Sequence, residues 1–196
     1  MIENLLKTFE ELKQKNLSID LTRGKPHSDQ LDLSNDLMTQ PVDPIGENGV
    51  DLRNYGEPIG IIEARNLGAE ILNSKVELTI AGEQSSYLLM TQLLLGRSLF
   101  GLNDGPWKDD KEAAFLCAVP GFDRHFATLE GLGLKMHTVN LCPSGIDLDD
   151  LKNKLSKYQN IKGLICVPRH SNPSGEVFSD ENIIDLLKIT KEYNPS

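Results

Sequence analysis

The stretch Gly163-Leu-Ile-Cys-Val-Pro-Arg-His-Ser-Asn-Pro-Ser-Gly175 carries the sharpest signal in the sequence, because it joins a short apolar run to a polar turn rich in proline and glycine. The run from Gly163 to Val167 predicts a buried strand. Pro173 holds Asn172 in an extended conformation, so the Asn172 amide can project from the strand end as a fixed donor. A helical pattern follows over Asp180 to Tyr193, which completes a strand–turn–helix unit.

The same order of strand, turn and helix recurs along the preceding part of the chain. Further strands are predicted at Glu77 to Ala81, Ala113 to Val119 and Lys135 to Asn140, and helices at residues 60–73, 84–100, Phe122 to Leu132 and Leu148 to Tyr158. Because a helix follows each of the four strands, the strands are expected to pair in parallel, in an α/β sheet covered by helices.

The N-terminal region carries a different pattern. Residues 1–15 place five large apolar side chains at helical spacing and predict an amphipathic helix. Residues 16–60 are dense in proline and glycine, which predicts an extended, turn-rich arm with at most a short helix near Leu33 to Met38. Arms of this length are usually functional or bound to a partner.

Composition excludes several classes of protein. The 20 basic residues against 29 acidic ones give a net charge of −9, which argues against nucleic acid and anionic membrane as partners. No apolar run is long enough to span a membrane, and acidic residues interrupt the first apolar pattern, so we expect a cytoplasmic protein. The three cysteines and four histidines lack the spacing of a disulfide framework or a metal site.

Two earlier turns are also polar, and ligands of such sheets bind outside the carboxyl ends of the strands. The turn from Ala81 to Ser86 opens a helix with Ser85 and Ser86, whose hydroxyls and free backbone N–H groups suit a phosphate monoester. An ordinary serine N-cap is the alternative interpretation. In the next turn Phe122 emerges at a helix start, where it either stacks on a flat heterocycle or acts as a hydrophobic staple.

Together the three turns would supply a phosphate site, a stacking surface and an oriented donor along one edge of the sheet. That set matches an aromatic, phosphorylated, phenolic cofactor. Taken singly, the turn with Ser85 also allows another phosphorylated small ligand, and Asn-Pro followed by Ser-Gly is a common turn. Arg23 could neutralise an anionic ligand or form an ordinary surface ion pair.

Several segments, in order along nearly the entire chain, resemble one family. They are Asp20-Leu-Thr-Arg-Gly-Lys-Pro26, Arg53-Asn-Tyr-Gly56, Pro58-x-Gly60 with Glu63-Ala-Arg65, Pro120-Gly-Phe-Asp-Arg-His125 and Val167-Pro-Arg-His-Ser-Asn-Pro-Ser-Gly175. The sequence is similar to the fold-type-I pyridoxal-5′-phosphate (PLP) aminotransferases, in particular the divergent bacterial subgroup assigned as aspartate aminotransferases. The resemblance implies an arm over residues 1–58 and, over residues 59–196, the N-terminal part of the PLP-binding large domain, with helices on both faces of a mostly parallel sheet.

The resemblance also implies roles for matched residues. Ser85 and Ser86 would hold the cofactor phosphate, Phe122 would stack on the pyridine ring, and Asn172 would donate to the phenolic oxygen. Tyr55 resembles the tyrosine that reaches the phosphate of the neighbouring subunit's cofactor. The expected assembly is therefore a homodimer with shared sites.

The resemblance further places Gly24 where the family's arm glycine meets the substrate carboxylate through its backbone. The implied reaction is transfer of an amino group between aspartate, or a similar amino acid, and a 2-oxo acid. No residue of this sequence matches the family's cofactor-linked (Schiff-base) lysine, its pyridine-pairing aspartate or its substrate-binding arginine. The sequence is therefore identified as an N-terminal half that is inactive alone, the alternative being a non-catalytic remnant or a dimerising interaction module.

By the same resemblance, the strand at Glu77 to Ala81 would lie next to strands supplied by the other half of the enzyme. Unpaired backbone and an uncovered apolar face are costly. The 196-residue chain alone is therefore expected to unfold with poor cooperativity or to aggregate.

Overall fold

A computed structural model describes residues 2–20, 22, 24–102 and 105–193. The chain divides into two compact units, Met1–Thr79 and Ile80–Ser196. The boundary after residue 58 implied by the resemblance concerns the domains of a complete enzyme, and it stays a prediction. No helix in the described ranges is both long and apolar enough to cross a membrane.

The described residues of the first unit form three α-helices and two short 3₁₀ segments. The helices are α1 (Ile2–Gln14), α2 (Ser28–Asp32) and α3 (Ile62–Ile71), and the 3₁₀ segments are Asn35–Thr39 and Val76–Leu78. The amphipathic first helix is confirmed, yet none of its residues is buried and Phe9 is 59% exposed. The expected short helix of the arm is present as the 3₁₀ segment Asn35–Thr39, and α2 is an addition that the proline and glycine count did not predict.

The prediction of a strand at Glu77 to Ala81 is wrong. Val76–Leu78 forms a 3₁₀ turn instead, and no ladder partner for this segment exists in the part of the chain that the structure describes. The Arg65 guanidinium holds the segment by donating to the carbonyl oxygens of Val76 at 2.7 Å and Thr79 at 2.9 Å. Ile80 is left 64% exposed. An alternating apolar pattern becomes a strand only where a neighbour accepts its backbone hydrogen bonds.

The described residues of the second unit form the sheet and four α-helices. The strands are β1 (Ala114–Val119), β2 (Lys135–Cys142), β3 (Gly145–Ile146) and β4 (Ile161–Ile165), and the helices are α4 (Ser86–Phe100), α5 (Asp123–Gly131), α6 (Leu148–Lys157) and α7 (Asp180–Tyr193). The strand order is β3-β2-β1-β4, and β1 runs parallel to both β2 and β4. The short β3 pairs antiparallel with the end of β2. The predicted α/β class with a mostly parallel sheet is confirmed.

Alternate side chains of the central strand β1 face two separate cores. Leu116 and Ala118 pack in a cluster with residues of β2, α6 and α7, including Val139, Leu151 and Leu186. Phe115 and Cys117 point to the opposite face, and their cluster is completed by Leu94, Trp107, Ala113, Leu129 and Leu134. The first cluster includes residues of α6 and α7 and the second includes residues of α4 and α5, so helices cover both faces of the sheet. Full burial of each large apolar side chain contributes about 1.5–3 kcal/mol to the free energy of unfolding.

The short strand β3 is held by a side chain from a distant helix. The Asn182 amide at the start of α7 accepts from Ile146 N–H at 3.0 Å and donates to the Ile146 carbonyl at 2.8 Å. Both residues are buried, so the amide satisfies backbone groups that would otherwise be unpaired. Gly145 has a φ of +137°, and a Cβ there would lie 2.2 Å from Asn182 Oδ1, so only glycine fits.

The outer edge of β4 has no paired strand within the described ranges. Beside it lies an apolar cavity of about 300 Å³ between the strand and the helices α6 and α7. Its apolar lining is Leu116, Leu155, Ile161, Leu164, Leu186 and Leu187. Leu187 is 62% exposed. We call this partly open cavity the apolar groove. An unpaired strand edge beside an exposed apolar groove favours aggregation.

We predict that the 196-residue chain alone unfolds in urea over a broad range, with a slope far below that expected for its length, and that it binds the dye ANS. The reason is that the groove and the apolar face of α1 remain in contact with water. Urea titrations followed by circular dichroism measure this slope. A single sharp transition with a slope appropriate to 196 residues would contradict the prediction.

Candidate functional site

The turns that follow β1 and β4 lie at the same edge of the sheet, because these two strands are parallel neighbours. Between them is a small cleft whose lining includes residues from both turns. The lining residues are Ala118, Gly121, Phe122, His125, Phe126, Leu141, Ile165, Cys166, Val167, Ser171 and Phe178. The cavity volume is about 10 Å³, which is room for about one water molecule. A ligand larger than water would therefore have to lie at the rim of the cleft rather than inside it.

Phe122 is the N-cap residue of α5 and is half-buried at the cleft. Its ring meets the His125 ring edge to face, with centroids 5.2 Å apart, and the Arg124 guanidinium lies 5.9 Å from the ring centre. Gly121 allows this placement, because a Cβ there would lie 2.6 Å from the Ala118 carbonyl oxygen and 2.7 Å from Phe126 Cζ. The turn is packed too closely for any other residue, and it carries the Phe122 ring to the rim of the cleft.

The two serines stand at the start of α4. Ser85 is half-buried and is the N-cap, and its Oγ accepts from the Leu88 backbone N–H at 3.4 Å. Good hydrogen bonds of this kind are near 2.9–3.0 Å, so the cap is weak. Ser86 is exposed. The first turn of α4 therefore offers a hydroxyl and backbone N–H groups that a stronger acceptor could engage.

Tyr87 joins the start of α4 to α5. Its hydroxyl lies 2.7 Å from Thr128 Oγ1, and its ring stacks on the His125 ring with centroids 6.4 Å apart. Since His125 also contacts Phe122, one chain of side-chain contacts links the serine-bearing helix start to the aromatic rim of the cleft. Sequence reasoning missed Tyr87 and Thr128. The only local indication was the aromatic Tyr87 next to the two serines. Its hydrogen-bond partner Thr128 is 41 residues away, so the sequence pattern does not show the contact.

The turn after β4 folds back on itself. Ser171 N–H donates to the Glu176 carbonyl at 3.0 Å, and Phe178 N–H donates to the Pro168 carbonyl at 2.8 Å. Ser171 is buried and lines the cleft, whereas the neighbouring Asn172 is exposed beside it. The structure thus places Asn172 on the same turn as the cleft wall and leaves the residue exposed to solvent.

Burial disfavours the charged thiolate form of two cysteines of the second unit. Burial raises the pKa of the Cys117 thiol to about 11, and burial also raises the pKa of the Cys166 thiol, which lines the cleft. A thiol with a raised pKa is a poor nucleophile. No group of His, Cys, Asp and Glu side chains is placed to hold a metal ion in the residues described above.

The remaining candidates, Tyr55 and Gly24, belong to the first unit. The Tyr55 side chain is 98% exposed, and a Cβ at Gly24 would meet nothing within 4 Å. Arg23 lies outside the described residues. The structure therefore brings Phe122, Asn172 and the two serines into one unit and leaves Tyr55 and Gly24 in the other.

Comparison with known proteins gives matches that agree with one another. The sequence model of the aspartate amino-transferase family matches residues 1–193. A curated aspartate aminotransferase from Corynebacterium glutamicum is 39% identical over 183 residues, which are 91% of this chain and 42% of that protein. The crystal structure of an aspartate transaminase from Corynebacterium glutamicum has a TM-score of 0.84 at 38% identity, covering 94% of this chain and 44% of the other.

More distant structures share the fold. The α-aminoadipate aminotransferase LysN from Thermus thermophilus, solved with N-(5′-phosphopyridoxyl)-L-leucine, has a TM-score of 0.57 at 21% identity, covering 71% of this chain and 33% of LysN. The present chain thus spans less than half the length of the relatives that it matches.

Proposed function

The chain belongs to the aspartate amino-transferase family, and on that basis we propose that it is the N-terminal half of a PLP-dependent aminotransferase. The enzyme would transfer an amino group between aspartate, or a similar amino acid, and a 2-oxo acid. The observation that carries the proposal is the 39% identity to an aspartate aminotransferase over 91% of this chain. A shared fold alone does not produce identity at that level.

The donor set of the second unit fits PLP. The N–H groups and hydroxyls at the start of α4 suit a phosphate dianion, and Ser85 gives up only a weak 3.4 Å contact to turn toward it. Phe122 presents an aromatic surface at the cleft rim, where a pyridine ring can stack. Asn172 supplies an amide donor for a phenolic oxygen. When bound, PLP supplies an electron sink for the α-carbon of an amino acid.

The chain's own residues would bind and orient rather than transfer protons. The half-buried Phe122 would fix the plane of the ring and exclude water from one side of it. Asn172 would set the rotation of the ring within that plane by donating to its phenolic oxygen. The groups at the start of α4 would anchor the phosphate. Proton transfer and the covalent link to PLP are assigned to residues of the rest of the enzyme.

We further assign Tyr55 and Gly24 to the complete, homodimeric enzyme in the cytoplasm. The nearly complete exposure of Tyr55 suits a side chain that contacts the phosphate in a neighbouring subunit. Gly24 has free space around it, so its backbone can approach the carboxylate of a substrate.

We predict that PLP protects one cysteine of the full-length protein from alkylation. Cys166 lines the cleft, so saturating PLP should slow its reaction with iodoacetamide at pH 9 severalfold. Cys142, which is absent from the cleft lining, should react at an unchanged rate, as measured by peptide mass spectrometry.

Inorganic phosphate is the matched control in that experiment, and it should give no protection of Cys166. Protection by phosphate equal to that by PLP would support a different phosphorylated ligand. Equal rates at Cys166 with and without PLP would contradict binding at this cleft.

We predict that Asn172→Ala weakens cofactor retention in the full-length protein and moves the pH at which its visible absorbance band titrates. Loss of a hydrogen bond to a charged oxygen costs about 1.5–3 kcal/mol, which corresponds to a PLP Kd higher by about 10- to 100-fold. Ser174→Ala, an exposed change in the same turn, serves as the control. An Asn172→Ala protein with unaltered Kd and titration would remove the proposed role of Asn172.

A further inference from the structure

The loop that carries Tyr55 is built as a small closed hairpin. Leu52 N–H donates to the Pro44 carbonyl at 2.7 Å, and Gly46 N–H donates to the Val50 carbonyl at 2.9 Å. Gly49 closes the tip with a φ of +77°. Every one of these contacts is local, so they give the hairpin its shape but do not attach it to a regular element.

A single carboxylate makes that attachment. Glu63, in the first turn of α3, accepts from the Glu47 backbone N–H at 2.6 Å, across 16 positions of sequence. Gly46 is buried beneath it, and a Cβ at Gly46 would lie 2.9 Å from Glu63 Oε1. The carboxylate therefore sits directly on the Gly46–Glu47 turn. A negative charge in the first turn of a helix is also stabilised by the helix dipole.

The segment bearing Tyr55 is fastened on both sides. Before it, the Arg53 guanidinium forms a two-pronged pair with Asp51, at 2.8 and 2.7 Å. After it, the Asn48 amide donates to Glu57 Oε1 at 3.2 Å and ties the segment back to the hairpin tip. Tyr55 lies between these two points with its side chain in solvent. The position of Tyr55 thus depends on the hairpin, and the hairpin is tied to α3 by Glu63.

We propose that Glu63 is a positioning residue that anchors the Tyr55 loop to α3 and thereby strengthens the hold on the cofactor phosphate. The inference rests on the proposed function, since it acts through the assigned contact between Tyr55 and the phosphate. No other carboxylate of α3 can replace it, because Glu70 lies two turns away and is exposed.

The hydrogen bond from Glu47 N–H to Glu63 depends on the ionisation of the Glu63 carboxyl, and therefore on pH. The Glu47 N–H, and then the N–H of Glu63 itself, lower the pKa of the Glu63 carboxyl below its usual value, against a smaller opposing effect of desolvation. A lowered pKa means that the anchoring is complete above the ordinary pKa of a glutamate and is lost as pH falls through the lowered value. The anchor is therefore fully charged at neutral pH.

We predict that Glu63→Ala in the full-length protein raises the PLP Kd about three- to tenfold. The reason is that losing the charged hydrogen bond to Glu47 loosens the Tyr55 loop, so part of the free energy of that bond is lost from phosphate binding. Glu63→Gln keeps a carbonyl acceptor and should recover part of the loss. Glu70→Gln, on the same helix, is the matched control and should leave Kd unchanged. Visible absorbance titration measures each Kd.

Combining these changes with Tyr55→Phe tests the route of the effect. If Glu63 acts through Tyr55, Glu63→Ala should add little to the loss already caused by Tyr55→Phe. An unchanged Kd in Glu63→Ala, or the same fold-loss in the Tyr55→Phe background, would overturn the proposal.

Hydrogen exchange at the Glu47 amide provides a measurement that does not depend on PLP. Faster exchange in Glu63→Ala, with no change in Glu70→Gln, would support the anchor. Unchanged exchange would overturn it. A wild-type protein that binds no PLP would contradict the proposed function instead, and the Glu47 exchange rate would still decide on the anchor.

Discussion

The parallel pairing of β1 with β2 and β4 determines where the turns and helices of the second unit lie. Because parallel strands share a direction, the turns that leave β1 and β4 come to the same edge of the sheet. Phe122 and Ser171 meet at one cleft for that reason, although 49 positions separate them. Two apolar cores, one on each face of β1, hold the strands in this order. The candidate site is thus a consequence of sheet topology before it is a consequence of any single side chain.

The residues of the second unit proposed to bind a ligand make few contacts of their own, whereas the turn at Gly121 is closely packed. Gly121 lies in a turn with no space for a side chain, whereas the Ser85 cap hydrogen bond is long and Asn172 is exposed. Within the described residues, the outer edge of β4 has no paired strand, and the large apolar side chains of α1 are exposed. These surfaces agree with a chain that spans less than half the length of its relatives.

Much of the fold could be predicted from hydrophobic periodicity, because helices and buried strands encode it locally. The helix Asp180–Tyr193 has its predicted bounds, and β1 differs by one residue. The strand at Glu77 to Ala81 could not form by pattern alone, since a strand needs a partner. Antiparallel β3 depends on Asn182, 36 positions from Ile146, and no local signal shows that contact. The candidate site residues could be predicted from the turns and the family motifs. The contact of Tyr87 with Thr128, which joins α4 to α5, could not, because it forms only in the tertiary structure.

The central claim is that this chain binds PLP without supplying the lysine that links to it. The most direct measurement is reduction of the full-length, PLP-loaded protein with borohydride, followed by peptide mapping of the phosphopyridoxyl label. We expect one labelled lysine, in a peptide outside residues 1–196, with the label lost when PLP is omitted. A label on a lysine within residues 1–196, or none at all, would contradict it.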